Sequence, residues 1–245
     1  MAIETQRPAF YALGAGGWRD YVTLLHPPYT AWHLSYVVIG AALAPELAWS
    51  RLLPALGAFF LAVGIGAHAL DELNGRPLGT EIPRAALIGL AVVSIVAAVA
   101  IGVVGAVVAT PWLVLFVAAG ALVVVAYNLE VAGGRFHNDG WFALAWGAFP
   151  LLTAYFATAE RLDGVALAGA VFAFALSRAQ RMLSTPVRDI RRRALRVEGS
   201  VERRDGTSEA VTADLLLRGK EAALRALTLA LVALAVALVL MRVTT

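Results

Sequence analysis

The stretch AALIGLAVVSIVAAVAIGVVGAVVATPWLVLFVAAGALVVVAY, residues 85 to 127, runs for 43 residues without a charged side chain. A helix crosses a hydrocarbon core of about 30 Å with roughly 20 apolar residues, so this run is too long for one crossing and suits two. Thr110-Pro111 is the natural place for the turn, because proline restricts the residue before it and cannot continue a helix hydrogen-bond ladder. Two such helices back to back set the fold class: an all-α, polytopic transmembrane helical bundle.

Working outward, apolar blocks predict about seven spans: Thr30 to Leu47, Leu52 to Leu73, Ala85 to Ala106, Pro111 to Tyr127, Trp141 to Ala159, Val165 to Leu183 and Leu224 to Met241. The composition agrees: 60% of the 245 residues are hydrophobic and 15% charged, against about 25% charged in a soluble domain. Four regions follow. Residues 1–29 read as an interfacial segment, with Phe10, Tyr11, Trp18, Tyr21 and Leu25 at roughly helical spacing. Residues 30–190 form the transmembrane core, 191–217 a polar loop or small hairpin around Asp205-Gly206, and 218–245 the last transmembrane helix.

Arginine placement sets orientation, since cytoplasmic connections retain positive charge. The N-terminal segment, the second-to-third, fourth-to-fifth and sixth-to-seventh connections hold most of it, which predicts an integral, multi-pass protein with a cytoplasmic N-terminus. The start lacks the features of a cleaved signal peptide, so the first span is expected to direct insertion. A net charge of +3 is explained by those arginines, and nucleic acid is not expected as a partner. The chain has no cysteine, which excludes disulfides and thiolate chemistry. Oligomeric state is not legible.

Three polar clusters share the cytoplasmic side. His68, Asp71 and Glu72 stand at i, i+3 and i+4 on one helical face, spacing that lets them reach one ligand such as a metal ion. The bland alternative pairs the acids with Arg76 at a helix end. Tyr127, Asn128, Glu130, Arg135, His137 and Asp139 crowd one loop around Gly133-Gly134, where each taken singly could be merely solvated. Arg178 and Arg181 lie within the end of the sixth span, followed by Arg188 and Asp189; guanidinium groups on adjacent turns suit a diphosphate. Arg191 to Arg193 read as topological charges meeting anionic lipid. His26 and His33, two helical turns apart with Tyr29 between, could face one cavity.

From about His26 to Asp189 the chain resembles the UbiA superfamily of intramembrane prenyltransferases. The resemblance rests on Asp71 and Arg76-Pro77 at the end of the second span, with His68 where another motif aspartate is expected. Tyr127, Arg135, Gly147 and Pro150 look like the family's pattern around the fourth and fifth spans. Where the second acidic motif belongs, this chain has Arg178, Gln180 and Arg181 before Asp189. The resemblance implies transfer of a prenyl group from an isoprenoid diphosphate to an acceptor, with magnesium (Mg2+) held by His68, Asp71 and Glu72. Asp71, Glu72, Tyr127 and His137 would then be catalytic, and Arg76, Asn128, Glu130, Arg135, Arg178, Arg181 and Asp189 would bind substrate. Two alternatives stand beside it. One is a lipid enzyme holding iron, manganese or zinc through His68, Glu72, Glu130 and His137, with His33. The other is a non-catalytic lipid-binding membrane protein.

Overall fold

The computed structural model describes residues 7–244. Its helices are α1 (Trp18–Leu24), α2 (Pro27–Leu43), α3 (Trp49–Leu73), α4 (Arg84–Val108), α5 (Leu113–Asn128), α6 (Asp139–Ala159), α7 (Gly164–Arg193) and α8 (Ala213–Thr244). A two-stranded hairpin of β1 (Ser200–Glu202) and β2 (Ser208–Ala210) joins α7 to α8. Its turn is held by the Asp205 Oδ1, which accepts from the Thr207 N–H and hydroxyl at 3.0 and 2.7 Å. Those donors hold the Asp205 carboxyl below the usual carboxylate range.

Local chemistry places the helix starts. Pro27 and Pro28 open α2, where a missing N–H costs nothing. Asn138 Oδ1 accepts from the Gly140 and Trp141 amides, and Asp163 Oδ1 from Val165 and Ala166, so α6 and α7 each begin on a side-chain cap. Four helices, α3, α4, α6 and α8, are long and apolar enough to cross a membrane. Of the other expected spans, α2 has 17 residues, α5 has 16, and α7 carries six arginines from Arg178 onward. Val93, Val104 and Val107 on α4 are exposed, the last by 82%, a face suited to lipid rather than water.

The core is built around α2. Gly40 lies so close to α6 that a Cβ there would stand 2.2 Å from the Leu151 carbonyl oxygen. Trp32 Nε1 donates to the Tyr36 hydroxyl at 2.8 Å, and Ser177 of α7 donates to the same oxygen at 3.1 Å. All three are fully buried, so this polar chain is satisfied within the core cluster of Trp32, Tyr36, Ile39, Leu151 and Leu231. At one end of the bundle, Arg242 donates to the carbonyls of Ala42 and Ala44, capping the end of α2.

Two helices are locally underwound into π geometry, α3 at Phe60–Ala67 and α6 at Leu144–Ala148. Such segments redirect side chains and free carbonyls. Both matter below. The N-terminal segment departs from the expected interfacial helix: only Trp18–Leu24 is helical, and Phe10 and Tyr11 sit in a turn against Tyr29.

Candidate functional site at the polar end of the bundle

All four histidines of the chain line one cavity of about 410 Å3, and each is fixed in the same way. His26 Nδ1 lies 2.8 Å from the Leu24 carbonyl, His33 Nδ1 2.8 Å from Trp146, His68 Nδ1 3.0 Å from Gly64 and His137 Nδ1 3.0 Å from Tyr127. A carbonyl only accepts, so each Nδ1 is the donor, and in the neutral ring Nε2 is then the lone-pair nitrogen. The carbonyls lie where helix hydrogen bonding ends or becomes irregular. Leu24 and Tyr127 sit at helix ends, and Gly64 lies in a π segment. The Trp146 carbonyl is four residues before Pro150, whose ring nitrogen cannot donate to it. None of the four Nε2 atoms has a hydrogen-bond partner among the described residues.

The His26 and His68 rings stack with centroids 4.0 Å apart, and the His137 ring stacks on Tyr127 at 4.4 Å. Burial, with the neighbouring His68 ring adding to it, holds His26 well below the usual histidine range. His26 is therefore neutral at pH 7. It also has φ of 46°, and Glu130 on the opposite wall has φ of 50°. Non-glycine residues in the left-handed region are sparse and gather at functional sites.

The two neighbouring acids of the first cluster part company. Asp71 lines the cavity, and its carboxylate has no hydrogen-bond partner among the described residues. Glu72 points the other way. Its carboxylate accepts from the Leu78 amide at 3.0 Å and from the Thr80 amide and hydroxyl at 2.8 and 2.9 Å, and it is 1% exposed. Glu72 is thus committed to holding the loop between α3 and α4, against the expectation that it faces a ligand with His68. Arg76 serves the same loop, donating to the Thr80 and Ile82 carbonyls rather than to the cavity.

The arginines are also sorted. Asp139 bonds Arg181 Nε through Oδ1 at 2.9 Å and Arg178 Nη1 through Oδ2 at 3.1 Å. Arg181 reaches the cavity wall and stacks over the Phe142 ring, whereas Arg178 is not part of the wall. The expected diphosphate pair is therefore already matched to a carboxylate. Tyr127, Asn128, Glu130 and Asp189 do line the cavity, Asp189 beside Arg193 at its rim, while Arg135 is exposed outside it.

Arg188, which the sequence placed after Arg181 in the third cluster, and Arg192, expected only as a topological charge, complete the wall. Arg188 and Arg192 line it, one helical turn apart on α7, and neither has a carboxylate partner among the described residues. Arg188 Nη2 donates to the Thr185 hydroxyl at 3.3 Å and Arg192 Nε to the Pro8 carbonyl at 3.3 Å. Among the described residues, three side-chain atoms are buried without a hydrogen-bond partner: the Tyr11 hydroxyl, the Tyr127 hydroxyl and Gln180 Oε1. All three residues belong to this same wall. Buried polar atoms are ordinarily satisfied, so their shared orphaning marks a place for a polar ligand or water. Of the three, Tyr127 stood among the candidate residues from the sequence, and Gln180 was noted only where a motif acid was expected.

The residues do not fit a magnesium centre. Magnesium takes oxygen ligands, and of the expected trio Glu72 is occupied while His68 offers nitrogen. Among the described residues no three His, Asp or Glu side chains converge on a position for one metal ion, which applies equally to the iron, manganese or zinc alternative.

A second cavity of about 560 Å3 lies between α3, α4, α5 and α6, lined almost wholly by Ala, Val, Ile, Leu, Phe and Gly. Val63 and Trp146, both in the π segments, belong to the walls of both cavities. From Val63 the apolar cavity follows α3 back to Ser50 and Arg51, roughly 20 Å at 1.5 Å per residue. No family model, no curated protein and no solved structure matches this chain.

Proposed function

We propose that this chain is a multi-pass intramembrane enzyme, its N-terminus cytoplasmic, acting on an isoprenoid diphosphate by transferring the prenyl group to an acceptor, in the manner of the UbiA superfamily it resembles. One observation supports this above the rest: a polar cavity and an apolar cavity meet at Val63 and Trp146. That pairing suits an amphiphile with an anionic head and a long hydrocarbon tail. A head at the arginine end and a tail along α3 would put the allylic carbon near the shared wall. Ionisation breaks the C–O bond, its electron pair leaving on the diphosphate; the acceptor forms the new bond and gives up a proton. The aromatic faces of Tyr127, Trp146 and Phe142 at the junction suit a developing carbocation. The unpartnered Asp71 and the four Nε2 atoms are the bases within the same wall.

The test is purified full-length protein incubated with labelled farnesyl or geranylgeranyl diphosphate and a panel of aromatic and hydroxyl acceptors, with and without magnesium. Diphosphate release, and its loss in Asp71→Ala, is the expected result. Absence of release under every condition, with unchanged lipid binding by Asp71→Ala, would leave a lipid-binding protein without this reaction.

A further inference from the structure

We infer that Arg188 and Arg192 are a two-pronged grip for the phosphate group of a lipid ligand, closed from above by Tyr11 of the N-terminal segment. The inference rests on the amphiphile reading above for its lipid and on separate observations for its residues. Four lines of geometry carry it.

Guanidinium groups are costly to hold beside an apolar bundle unless a negative charge meets them. The other arginines of α7 have been met: Arg178 and Arg181 by Asp139, Arg191 by Glu221 at 2.5 Å and Arg193 by Asp189. Arg188 and Arg192 are the exception, and both turn into the cavity rather than out to solvent. An i, i+4 pair on one helix projects its two planar forks side by side, and forks of this kind match phosphate oxygens two at a time. Asp71 of the same cavity is the acid whose charge the pair feels, but among the described residues neither guanidinium is ion-paired or hydrogen-bonded to it, so both forks keep N–H groups for a phosphate.

The second line is the N-terminal segment, which is tied to the same arginine run. Arg192 Nε donates to the Pro8 carbonyl and Arg191 Nη1 to the Arg7 carbonyl, while Arg225 stacks over the Phe10 ring at 4.9 Å. These contacts use main-chain oxygens and a ring face, leaving the remaining N–H groups of Arg192 for a ligand. They also bring Tyr11 over the cavity, its hydroxyl buried and unpartnered. A phenol O–H aimed at a phosphate oxygen would satisfy it.

Third, the cavity supplies counterparts of the right kind around that point. Tyr29, Thr185 and Ser184 are further hydroxyl donors in the wall. Fourth, the carboxylate of the wall nearest in sequence to the pair, Asp189, is drawn off toward Arg193 at 3.8 Å. A phosphate head thus meets donors at this end and the hydrocarbon junction at Val63 and Trp146 at the other.

Binding of inorganic pyrophosphate to the full-length protein in phosphatidylcholine nanodiscs, followed by calorimetry, tests this. Wild type and Arg218→Gln, a charge control on the exposed ion pair with Asp214, are expected to bind alike. Arg188→Gln and Arg192→Gln are each expected to weaken binding about tenfold, with the double variant beyond detection. Arg188→Lys and Arg192→Lys, which keep charge and the packing of the stem but lose the fork, are expected in between. The lysine pair decides the matter should a glutamine variant unfold. Undiminished pyrophosphate binding by the folded double variant overturns the grip and leaves the transferase reading standing. If wild type ignores pyrophosphate and farnesyl diphosphate but binds phosphatidic acid added to the nanodiscs, and loses it with both arginines, the grip holds and the diphosphate substrate falls. If neither probe binds in an arginine-dependent way, the proposal is wrong.

Discussion

Asp71 and Glu72 are neighbours in the chain, both acids, and the backbone sends them to opposite duties. Glu72→Gln removes the charge from an acceptor of three hydrogen bonds and is expected to cost roughly 2 kcal/mol, since bonds to a charged group contribute about 1.5–3 kcal/mol. A lowered thermal midpoint in detergent, with ligand binding unchanged once folded, checks it. Asp71→Asn should do the reverse, leaving the midpoint in place and altering only what the cavity binds. Tyr127→Phe isolates an orphan in the same way. Its hydroxyl has no partner to lose, so stability should move by less than about 0.5 kcal/mol, and any change in ligand affinity reports contact with that oxygen. His26 gives a pH signature. It is neutral in the fold with its proton affinity lowered, so as pH falls below about 6.5 the unfolded chain takes up the proton first and stability drops. His26→Asn, a residue that tolerates positive φ, should flatten the fall in thermal midpoint between pH 7 and pH 5.

At the scale of helices, apolar block length made the bundle readable, because hydrocarbon thickness imposes it directly. The π segments were not readable in that way. Underwinding of this kind depends on how neighbouring helices pack, and Gly64, Gly66 and Gly147 in these segments all sit in close contact with other groups. The same limit explains the arginines: spacing grouped Arg178 with Arg181, but it could not show that Asp139 from another helix would take both. Nor could it turn Arg192 inward, which depends on the N-terminal segment folding back onto α7. What spacing did locate was the end of the bundle where the polar cavity lies, since helix alternation puts those loops together whatever the packing. Gly147 offers a test of the close approach between α6 and α7. A Cβ there would stand 2.5 Å from Ser177 Oγ and 2.7 Å from the Ala173 carbonyl, and neither backbone nor a bonded hydroxyl yields easily. Gly147→Ala is expected to destabilise by roughly 1–3 kcal/mol and to shift the Trp32, Tyr36 and Ser177 chain, seen as altered tryptophan fluorescence. Gly89→Ala, with open space around it, is the matched control and should be neutral or slightly stabilising.

For the whole molecule, the decisive feature is the junction of two cavities of opposite character at the π segments. An anion site alone would need only the arginine end, and a lipid-facing groove alone would need only the wall between α3 and α6. Their shared wall is what the proposed single ligand with head and tail requires, and that is separable by experiment. Val63 is 4% exposed and touches both spaces, so Val63→Trp would fill the passage without changing any charge at either end. Overpacking of this kind costs about 1–3 kcal/mol, tolerable if the large apolar cavity admits the ring. Pyrophosphate, which occupies only the polar end, should bind Val63→Trp as it binds wild type. Farnesyl diphosphate should lose the contribution of its buried tail, which at about 25 cal/mol per Å2 is large enough to weaken binding by more than tenfold. Equal loss of both ligands would mean that the substitution had collapsed the polar end. Equal retention would mean that the tail never enters along α3, and the two cavities would then serve different molecules.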